Sequence, residues 1–307
     1  MAKILVATEK PFAPAAIEGI KKLTEEAGYE FALLEKYTDK SELLDAVKDA
    51  TALIVRSDKI TLEVVNAAPE LKIVVRAGAG FDNVDLETTK ERGIVVMNTP
   101  GQNANAVAEL VLGMMVYGAR NQFNGKPGTE LKGKRLGIQA YGNVGKNVAR
   151  IAKGFGMEVC AFDPFVDAKD IEADGVKAVE KVEDLYSNCE YVSLHIPALP
   201  ATINSINYTL TSLMPKGGTL INTARKEVIH EEDLEKILRN RPDFSYISDI
   251  APDNAEELKK EFEGRVFFTP KKMGAQTGEA NVNAGLAAAK QIIGYLKDGD
   301  ETFRVNK

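Results

Sequence analysis

The chain has 307 residues, of which 44% are hydrophobic and 27% are charged, and these values are typical of a globular protein with a buried core. Its length favours two domains over one. A formal net charge of −6 argues against a sequence-independent attraction to nucleic acid phosphates, so we expect chemistry on a small molecule.

Composition and patterning also exclude several classes of protein. No stretch approaches the roughly 20 apolar residues that a membrane span needs, and the amino terminus lacks the apolar segment of a signal peptide. Cys160 and Cys189 lie in apolar stretches without a disulfide framework or a metal-binding spacing. We therefore expect a cytoplasmic protein with core thiols, no membrane partner and no metal site.

The first part of the chain alternates short apolar runs with amphipathic stretches. The patterns PAAIEGIKKLTEEAG and KSELLDAVKD have helical periodicity, and they lie between runs that are typical of buried strands. Those runs are KILVA, YEFALL, TALIV, LKIVV and GIVVM. This order predicts one open parallel sheet.

A longer helical pattern, NANAVAELVLGMMVYGAR, and a polar connection lead into a second series of strands. The runs of that series are RLGIQA, MEVCAF, YVSLHI, GTLINT, FSYISDI and VFFTP. Strands that alternate with helices predict a doubly wound α/β fold. The last helical pattern, GEANVNAGLAAAKQIIGYLK, has no strand after it, so we expect it to pack elsewhere, on the first unit.

The second series opens with a stretch that is typical of a dinucleotide site, RLGIQAYGNVGKNVARIAKGFGMEVCAFDP. Gly142 permits backbone approach to a pyrophosphate, Gly145 permits close packing of helix on strand, and Asn143 and Val144 offer amides at the helix start. Asp163 follows the next strand, where it accepts hydrogen bonds from ribose hydroxyls and repels a 2′-phosphate, so NAD is favoured over NADP.

One position departs from that motif. Ala140 stands where the first glycine of the motif makes the tight turn. A bare GxxG also occurs in ordinary strand-to-helix connections, which is the alternative interpretation.

Several ordered blocks resemble one known family. They are VRSDKIT, VVRAGAGFDNVDLETTKERGIVVMNTP, AVAELVLGMM, GTELKGKRLGIQAYGNVGKNVA, SLHIPALPAT, LINTARKEVI and SDIAPDN. On these blocks the chain resembles the D-isomer-specific 2-hydroxyacid dehydrogenases, and most closely the branch that acts on D-3-phosphoglycerate. The resemblance covers nearly all of the chain.

The resemblance implies a domain arrangement. A Rossmann-type NAD-binding domain, 99–277, is expected inside a flavodoxin-like substrate-binding domain made of 1–98 and 278–307. Members of the family usually dimerise through the cofactor domain, so a homodimer is expected. The implied reaction oxidises D-3-phosphoglycerate to 3-phosphohydroxypyruvate, the first step toward L-serine.

The resemblance also implies roles for residues at strand ends. Arg225 matches the arginine that binds the substrate carboxylate and polarises the reacting carbonyl, a planar task that suits a guanidinium group. The small residues Ala77, Gly78, Ala79 and Gly80 match the loop whose amides bind the same carboxylate. The alternative for Arg225 is a surface ion pair, and the alternative for the loop is a plain glycine-rich turn.

Further cofactor contacts are implied at other strand ends. Asp249 is expected to bond the nicotinamide carboxamide, and Thr223 and Ala224 to line its ring. His195 and Pro197, in the SLHIP block, are expected beside the cofactor.

Arg56 and Arg76 bear on the choice of hydroxy acid, because each follows a strand-like run. Two cations suit a phosphate, and the resemblance places both among the phosphate-binding groups. The alternative is that both arginines are solvated caps of strand ends.

The acid/base group departs from the family. Most members carry a histidine at this point, held by a glutamate, but here the chain reads TPKKMG, and Asn254 stands at the glutamate position. Counting back from Gly274 places Lys272 at the histidine position, whereas counting forward from Pro270 places Lys271 there. We prefer Lys272.

The absence of the glutamate suits a lysine in the acid/base role. A carboxylate raises the pKa of a neighbouring cation, and the pKa of lysine already starts near 10.4, so a carboxylate partner would keep the lysine charged. Asp253 is adjacent to Asn254 and is the alternative partner in place of the missing glutamate.

Two rival functions remain at the level of the sequence. A protein without the family histidine and glutamate could be a non-catalytic NAD-sensing module, and retention of Arg225 argues against that interpretation. A hydroxypyruvate or glyoxylate reductase, or another D-2-hydroxyacid dehydrogenase, is the second rival. Asp163 and Arg76 argue against an NADP-dependent reductase.

Overall fold

The structure is a computed structural model that describes all 307 residues, and it divides into two compact units. Unit 1 comprises Met1–Asn103 and Gln276–Lys307, and unit 2 comprises Ala104–Ala275. No helix combines the length and the apolar character that a membrane crossing requires.

Both units alternate strands and helices along the chain. The strands are β1 (Lys3–Thr8), β2 (Glu30–Glu35), β3 (Ala52–Val55), β4 (Ile73–Arg76), β5 (Val95–Asn98), β6 (Arg135–Gln139), β7 (Glu158–Phe162), β8 (Lys177–Ala178), β9 (Tyr191–Leu194), β10 (Thr219–Asn222), β11 (Ser245–Ser248) and β12 (Val266–Phe268). The α-helices are α1 (Pro14–Glu26), α2 (Lys40–Ala46), α3 (Leu62–Ala67), α4 (Leu86–Glu91), α5 (Ala104–Ala119), α6 (Asn143–Gly154), α7 (Ala168–Ala173), α8 (Val182–Asn188), α9 (Tyr208–Thr211), α10 (Glu231–Asn240), α11 (Ala255–Glu261) and α12 (Gly278–Asp298).

Unit 1 contains a five-stranded parallel sheet in the order β2-β1-β3-β4-β5, which is the flavodoxin-like order. Two hydrophobic clusters cover its two faces. Helix α12 packs against α1 in this unit. Thr277 caps the start of α12 by accepting the Ala280 amide at 3.1 Å, and Gly299 ends it with a left-handed φ of 69°.

Unit 2 contains a seven-stranded parallel sheet in the order β12-β11-β10-β9-β6-β7-β8. From its first strand, β6, the chain adds β7 and β8 on one side and then β9 to β12 on the other, which is the Rossmann arrangement. The predicted fold class of two doubly wound parallel sheets is confirmed. The two-residue strand β8 was not predicted, because its sequence is too short to show periodicity.

The topology fixes where a ligand is expected in each unit. In an open parallel sheet the crevice lies beyond the carboxyl ends of the strands, where the strand order reverses. That point lies between β1 and β3 in unit 1 and between β6 and β9 in unit 2.

The two cysteines pack side by side in unit 2. The Sγ atom of Cys160, in β7, lies 3.1 Å from that of Cys189, directly after α8, and both are free thiols. The sequence indicated apolar surroundings but not this contact, which arises because α8 packs on β6 and β7.

Candidate active site

The turn between β6 and α6 has the geometry of a phosphate-binding turn. Gly142 is the N-cap of α6, and a Cβ atom on Gly145 would lie 2.3 Å from the Ala140 carbonyl oxygen, so only glycine permits this packing. Asn143 and Val144 begin the helix, where amides have no intrahelical acceptor and suit an anion.

Ala140 adopts a left-handed φ of 80°, at the position where the motif expects glycine. For an alanine this conformation costs roughly 1–2 kcal/mol. The turn therefore keeps the motif's backbone path in spite of the substitution.

Asp163 follows β7 and is held by two backbone amides. Its Oδ2 accepts the Tyr141 amide at 2.7 Å, and its Oδ1 accepts the Phe165 amide at 2.8 Å. Each carboxylate oxygen has a lone pair left to accept a further hydrogen bond. The carboxylate is thus pre-positioned beside the β6–α6 turn, as a ribose-binding group requires.

The two histidines occupy different surroundings. Burial lowers the pKa of His195 to about 3, and its Nε2 lies 3.0 Å from the Ser193 hydroxyl, so the imidazole is neutral at physiological pH. His230 is the N-cap residue of α10. Pro197 lies on the exposed segment that follows His195.

Asp249 follows β11 and organises the segment that carries the two lysines. It is fully buried, and its Oδ2 accepts the amides of Gly274 at 2.8 Å and Met273 at 3.4 Å. Burial raises the pKa of Asp249, and these amides together with the charges of Lys272 and Arg225 offset part of that rise. Gly274 is tightly constrained, because a Cβ atom there would lie 3.0 Å from Asp249 Oδ2.

Two buried oxygens at these strand ends have no hydrogen-bond partner. They are Oδ1 of Asp249 and Oγ1 of Thr223, the residue that follows β10. Buried polar atoms are nearly always bonded, so unpaired ones point to a missing ligand or water. These oxygens suit the carboxamide of a nicotinamide, and the residues present therefore fit NAD.

Lys272 and Arg225 converge on one backbone oxygen. The Nζ of Lys272 donates to the Ala224 carbonyl at 2.8 Å, and the Nη1 of Arg225 donates to the same oxygen at 2.9 Å. Both lysines are exposed residues, and the carbonyl of Lys271 accepts the Thr269 hydroxyl at 2.8 Å. Of the two lysines that the sequence left open, Lys272 is the one beside Arg225.

The carboxylate of Asp253 has another partner. Its Oδ1 accepts the Nζ of Lys226 at 2.6 Å, and its side chain is 78% exposed. Asn254, at the position of the family glutamate, instead precedes α11 as its N-cap residue.

In unit 1, Arg56 directly follows β3, Arg76 is the last residue of the neighbouring strand β4, and the two residues are linked. The Nε of Arg76 donates to the Arg56 carbonyl at 2.9 Å, and the Nη1 of Arg56 donates to the Pro11 carbonyl at 2.8 Å. A Cβ atom on Gly78, whose φ is 151°, would lie 1.6 Å from Arg76 Nη1. The guanidinium group of Arg76 therefore lies directly against the backbone of Gly78.

The loop of Ala77 to Gly80 offers amides to a ligand. The carbonyl of Gly78 accepts the Thr99 amide at 3.0 Å, and that of Ala79 accepts the side chain of Asn98 at 2.6 Å. The Ala77 amide donates to the Val55 carbonyl, whereas the amides of Gly78, Ala79 and Gly80 donate to no group in the protein. This arrangement suits a carboxylate ligand.

Sequence reasoning missed two residues that shape these loops. Asn222, inside the quoted LINTARKEVI block, accepts the Ala224 amide at 2.9 Å and donates to the Arg225 carbonyl at 2.9 Å. Asp58, inside VRSDKIT, is only 3% exposed. Asn222 is the last residue of β10 and Asp58 lies three residues after β3, so a polar residue at or near the end of a buried strand was the signal available for both.

Comparison with known proteins agrees with this geometry. The family model for the D-isomer specific 2-hydroxyacid dehydrogenase, NAD binding domain, matches residues 112–270. D-3-phosphoglycerate dehydrogenase of Methanocaldococcus jannaschii is 35% identical over 84% of this chain and 52% of that protein. Hydroxypyruvate reductase of Thermotoga maritima is 33% identical over 87% of this chain and 92% of that protein.

Among solved structures, 3-phosphoglycerate dehydrogenase of Entamoeba histolytica with bound NAD⁺ is 48% identical. It aligns with a TM-score of 0.88 over 100% of this chain and 99% of that one. The chain spans about half the length of several of the phosphoglycerate dehydrogenases that it matches. These similarities confirm the predicted family and cofactor: the chain belongs to the D-isomer specific 2-hydroxyacid dehydrogenases and carries their NAD-binding domain.

Proposed function

We propose that the protein is an NAD-dependent D-3-phosphoglycerate dehydrogenase that interconverts D-3-phosphoglycerate and 3-phosphohydroxypyruvate. The observation that carries the proposal is the convergence of Lys272 and Arg225 on the Ala224 carbonyl oxygen. An ammonium group and a guanidinium group at one point provide a proton-transfer group and an anion-binding group for the same substrate.

Each residue has a defined task in this reaction. NAD, when bound, accepts a hydride from the carbon that bears the substrate hydroxyl. Arg225 binds the substrate carboxylate and the reacting oxygen, and the Nζ of Lys272 takes the hydroxyl proton and returns it in the reverse direction. Asp249 Oδ1 accepts a hydrogen bond from the nicotinamide carboxamide, while its Oδ2 holds the Lys272 segment through the amides of Gly274 and Met273.

The charged groups around Lys272 have both signs. The positive charge of Arg225 favours proton loss from Lys272, whereas the buried carboxylate of Asp249, which interacts with the charges of both groups, opposes it. Asp253 forms a salt bridge with Lys226. This pairing supports the proposal that Lys272 acts without Asp253 in the place of the family glutamate. The oxidised nicotinamide adds a second positive charge when the cofactor is bound.

The choice of substrate is supported by unit 1. Arg56 and Arg76 provide two linked guanidinium groups for a phosphate, and the amides of Gly78, Ala79 and Gly80 suit the substrate carboxylate. Similarity to proteins named as phosphoglycerate dehydrogenases supports the same choice.

A second candidate is hydroxypyruvate reduction. It is supported by the similarity to hydroxypyruvate reductase of Thermotoga maritima, which is 33% identical over 87% of this chain. An unphosphorylated substrate would leave Arg56 and Arg76 without a role in binding.

The test is NADH oxidation by the purified protein with 3-phosphohydroxypyruvate, hydroxypyruvate, glyoxylate and pyruvate, each repeated with NADPH. We expect a kcat/KM for the phosphorylated substrate at least about a hundredfold above the others, because its phosphate adds charge-assisted hydrogen bonds. A preference for hydroxypyruvate would favour the second candidate. Binding of NADH without turnover of any of the four would contradict both.

A further inference from the structure

Asp58 is a buried carboxylate that joins several chain segments of unit 1. Its Oδ1 accepts the Glu9 amide at 2.7 Å and the Tyr37 hydroxyl at 2.8 Å, and its Oδ2 accepts the Arg56 amide at 3.2 Å. Its own carbonyl accepts the side chain of Asn83 at 2.7 Å. Every polar atom of the Asp58 carboxylate is thus bonded within the protein.

The partners of Asp58 lie beyond the carboxyl ends of neighbouring strands. Glu9 directly follows β1, Tyr37 comes shortly after β2, and Arg56 directly follows β3. One carboxylate therefore holds three loops on both sides of the point where the strand order reverses, which is the edge of the sheet where a ligand is expected.

These contacts extend to the two candidate phosphate-binding arginines. The loop that begins at Glu9 supplies the carbonyls of Lys10 and Pro11, which accept Arg56 Nη1 at 3.1 and 2.8 Å. The carbonyl of Arg56 accepts Arg76 Nε at 2.9 Å. Asp58 is connected to the Arg56 guanidinium through the loop after β1, and to the Arg76 guanidinium through the backbone of Arg56.

Burying a carboxylate is costly unless hydrogen bonds and an opposite charge compensate, and this site supplies both. Burial lowers the pKa of the Arg56 guanidinium, and the negative charges of Asp58 and Glu35 oppose that effect. The Arg56 guanidinium also lies 5.2 Å from the centre of the Phe12 ring. The Arg56 guanidinium therefore has contacts on several sides, and Asp58 is the buried carboxylate near it.

We propose that Asp58 is a positioning residue for the anion-binding pair Arg56 and Arg76, and thereby sets the preference for a phosphorylated substrate. The identity of the anion as the substrate phosphate rests on the proposed function. The placement of the two guanidinium groups by Asp58 does not, and it is tested separately below.

The first test is steady-state kinetics of Asp58→Asn with 3-phosphohydroxypyruvate and with hydroxypyruvate. Asparagine keeps the shape but directs an amide or a neutral oxygen at the Arg56 amide and removes the charge. We expect KM for the phosphorylated substrate to rise about tenfold or more with kcat nearly unchanged, because binding common to ground state and transition state is lost. KM for hydroxypyruvate is expected to stay near the wild-type value.

Two further variants separate positioning from a general loss of structure. Tyr37→Phe removes one bond to Asp58 and keeps the carboxylate, so it should raise the same KM by a smaller factor even if Asp58→Asn folds poorly. Asp49→Asn changes an exposed carboxylate that pairs with Lys3 in the same unit, and it should change neither KM. An equal rise of KM for both substrates, or no rise with Asp58→Asn, would overturn the proposal.

Inorganic phosphate provides a readout that does not depend on the substrate. In saturating NADH, we expect phosphate to raise the melting temperature of the wild type, and Asp58→Asn to need about tenfold more phosphate for half of that effect. If the wild type fails to prefer the phosphorylated substrate but this shift occurs, the proposed function is wrong and the role of Asp58 stands. No phosphate effect in the wild type, or the same effect in both proteins, contradicts that role.

Discussion

At the scale of single residues, Lys272 and Arg225 carry the proposed chemistry, because both donate to the Ala224 carbonyl. Sequence counting left two lysines open, since this loop has one residue more than the family pattern. The landmark that favoured Lys272 was Gly274, and the structure gives the physical reason for that glycine. Its amide donates to Asp249, and a Cβ atom there would lie 3.0 Å from the carboxylate oxygen, closer than most Cβ contacts.

Replacing Lys272 by methionine is expected to lower kcat by about 10²- to 10⁴-fold, the usual contribution of a positioned acid/base group. In the oxidation direction the neutral amine is needed, so wild-type activity should rise with pH. In the reduction direction the ammonium group is needed, so activity should fall with pH. Both pH-dependent limbs should disappear in the variant, as pH–rate profiles would reveal.

Lys271→Met is the matched control, because it removes the same charge from the adjacent, exposed position. It should leave kcat and the pH–rate profile close to wild type. Full activity of Lys272→Met combined with a loss in Lys271→Met would assign the role to the other lysine.

Ala140 offers a test of backbone strain. Ala140→Gly should raise the stability of unit 2 by up to about 1 kcal/mol, since glycine adopts a positive φ freely but loses more chain entropy on folding. For a unit of this size that corresponds to roughly 2–4 °C in melting temperature, measurable by calorimetry. Ala15→Gly, at an exposed helical position in α1, should not stabilise the protein. A lower melting temperature for Ala140→Gly would contradict strain at this turn.

At the scale of elements, the proposed ligand contacts lie at the carboxyl ends of parallel strands, in the loops that follow them and at the start of α6, and glycines let those loops pack closely. Gly78→Ala should raise KM for the phosphorylated substrate about tenfold, because the new Cβ atom displaces the Arg76 guanidinium and removes a charge-assisted contact. The measurement is steady-state kinetics with 3-phosphohydroxypyruvate at saturating NADH.

Gly93→Ala separates displacement from strain. Gly93 also has a positive φ, of 68°, but a Cβ atom there meets nothing within 4 Å. This variant should lose stability without a change in KM. If both variants change KM alike, the effect at Gly78 does not arise from Arg76.

The elements themselves were largely predictable. Most strands are buried on both faces and read as continuous apolar runs, and the edge strand β2, which has no buried residue, still carries the apolar run FALL, so all strands except β8 were found from the sequence. Helices shorter than about two turns, such as α9 and α11, show too few repeats for periodicity to reveal them.

At the scale of the whole molecule, cofactor binding is linked to stability. NADH at about a hundred times its Kd should add about 2.7 kcal/mol to the free energy of unfolding of the nucleotide-binding unit. NADPH at the same concentration should add much less, because Asp163, which two amides hold in place, is the residue that we propose repels a 2′-phosphate. Thermal unfolding with each cofactor checks this, and Asp163→Ala should reduce the difference between them. Equal stabilisation by both in the wild type would contradict the assigned role of Asp163.

The sequence by itself determined the fold class, the family and the cofactor, because periodicity and motif spacing are local properties that survive in one dimension. It also narrowed the proposed acid/base group to two adjacent lysines. Only the tertiary structure decided which lysine lies beside Arg225, which partner Asp253 has, and that Asp58 joins three loops. Those contacts link residues that are distant in the chain, and they form only when parallel strands bring their carboxyl ends to the same edge of a sheet.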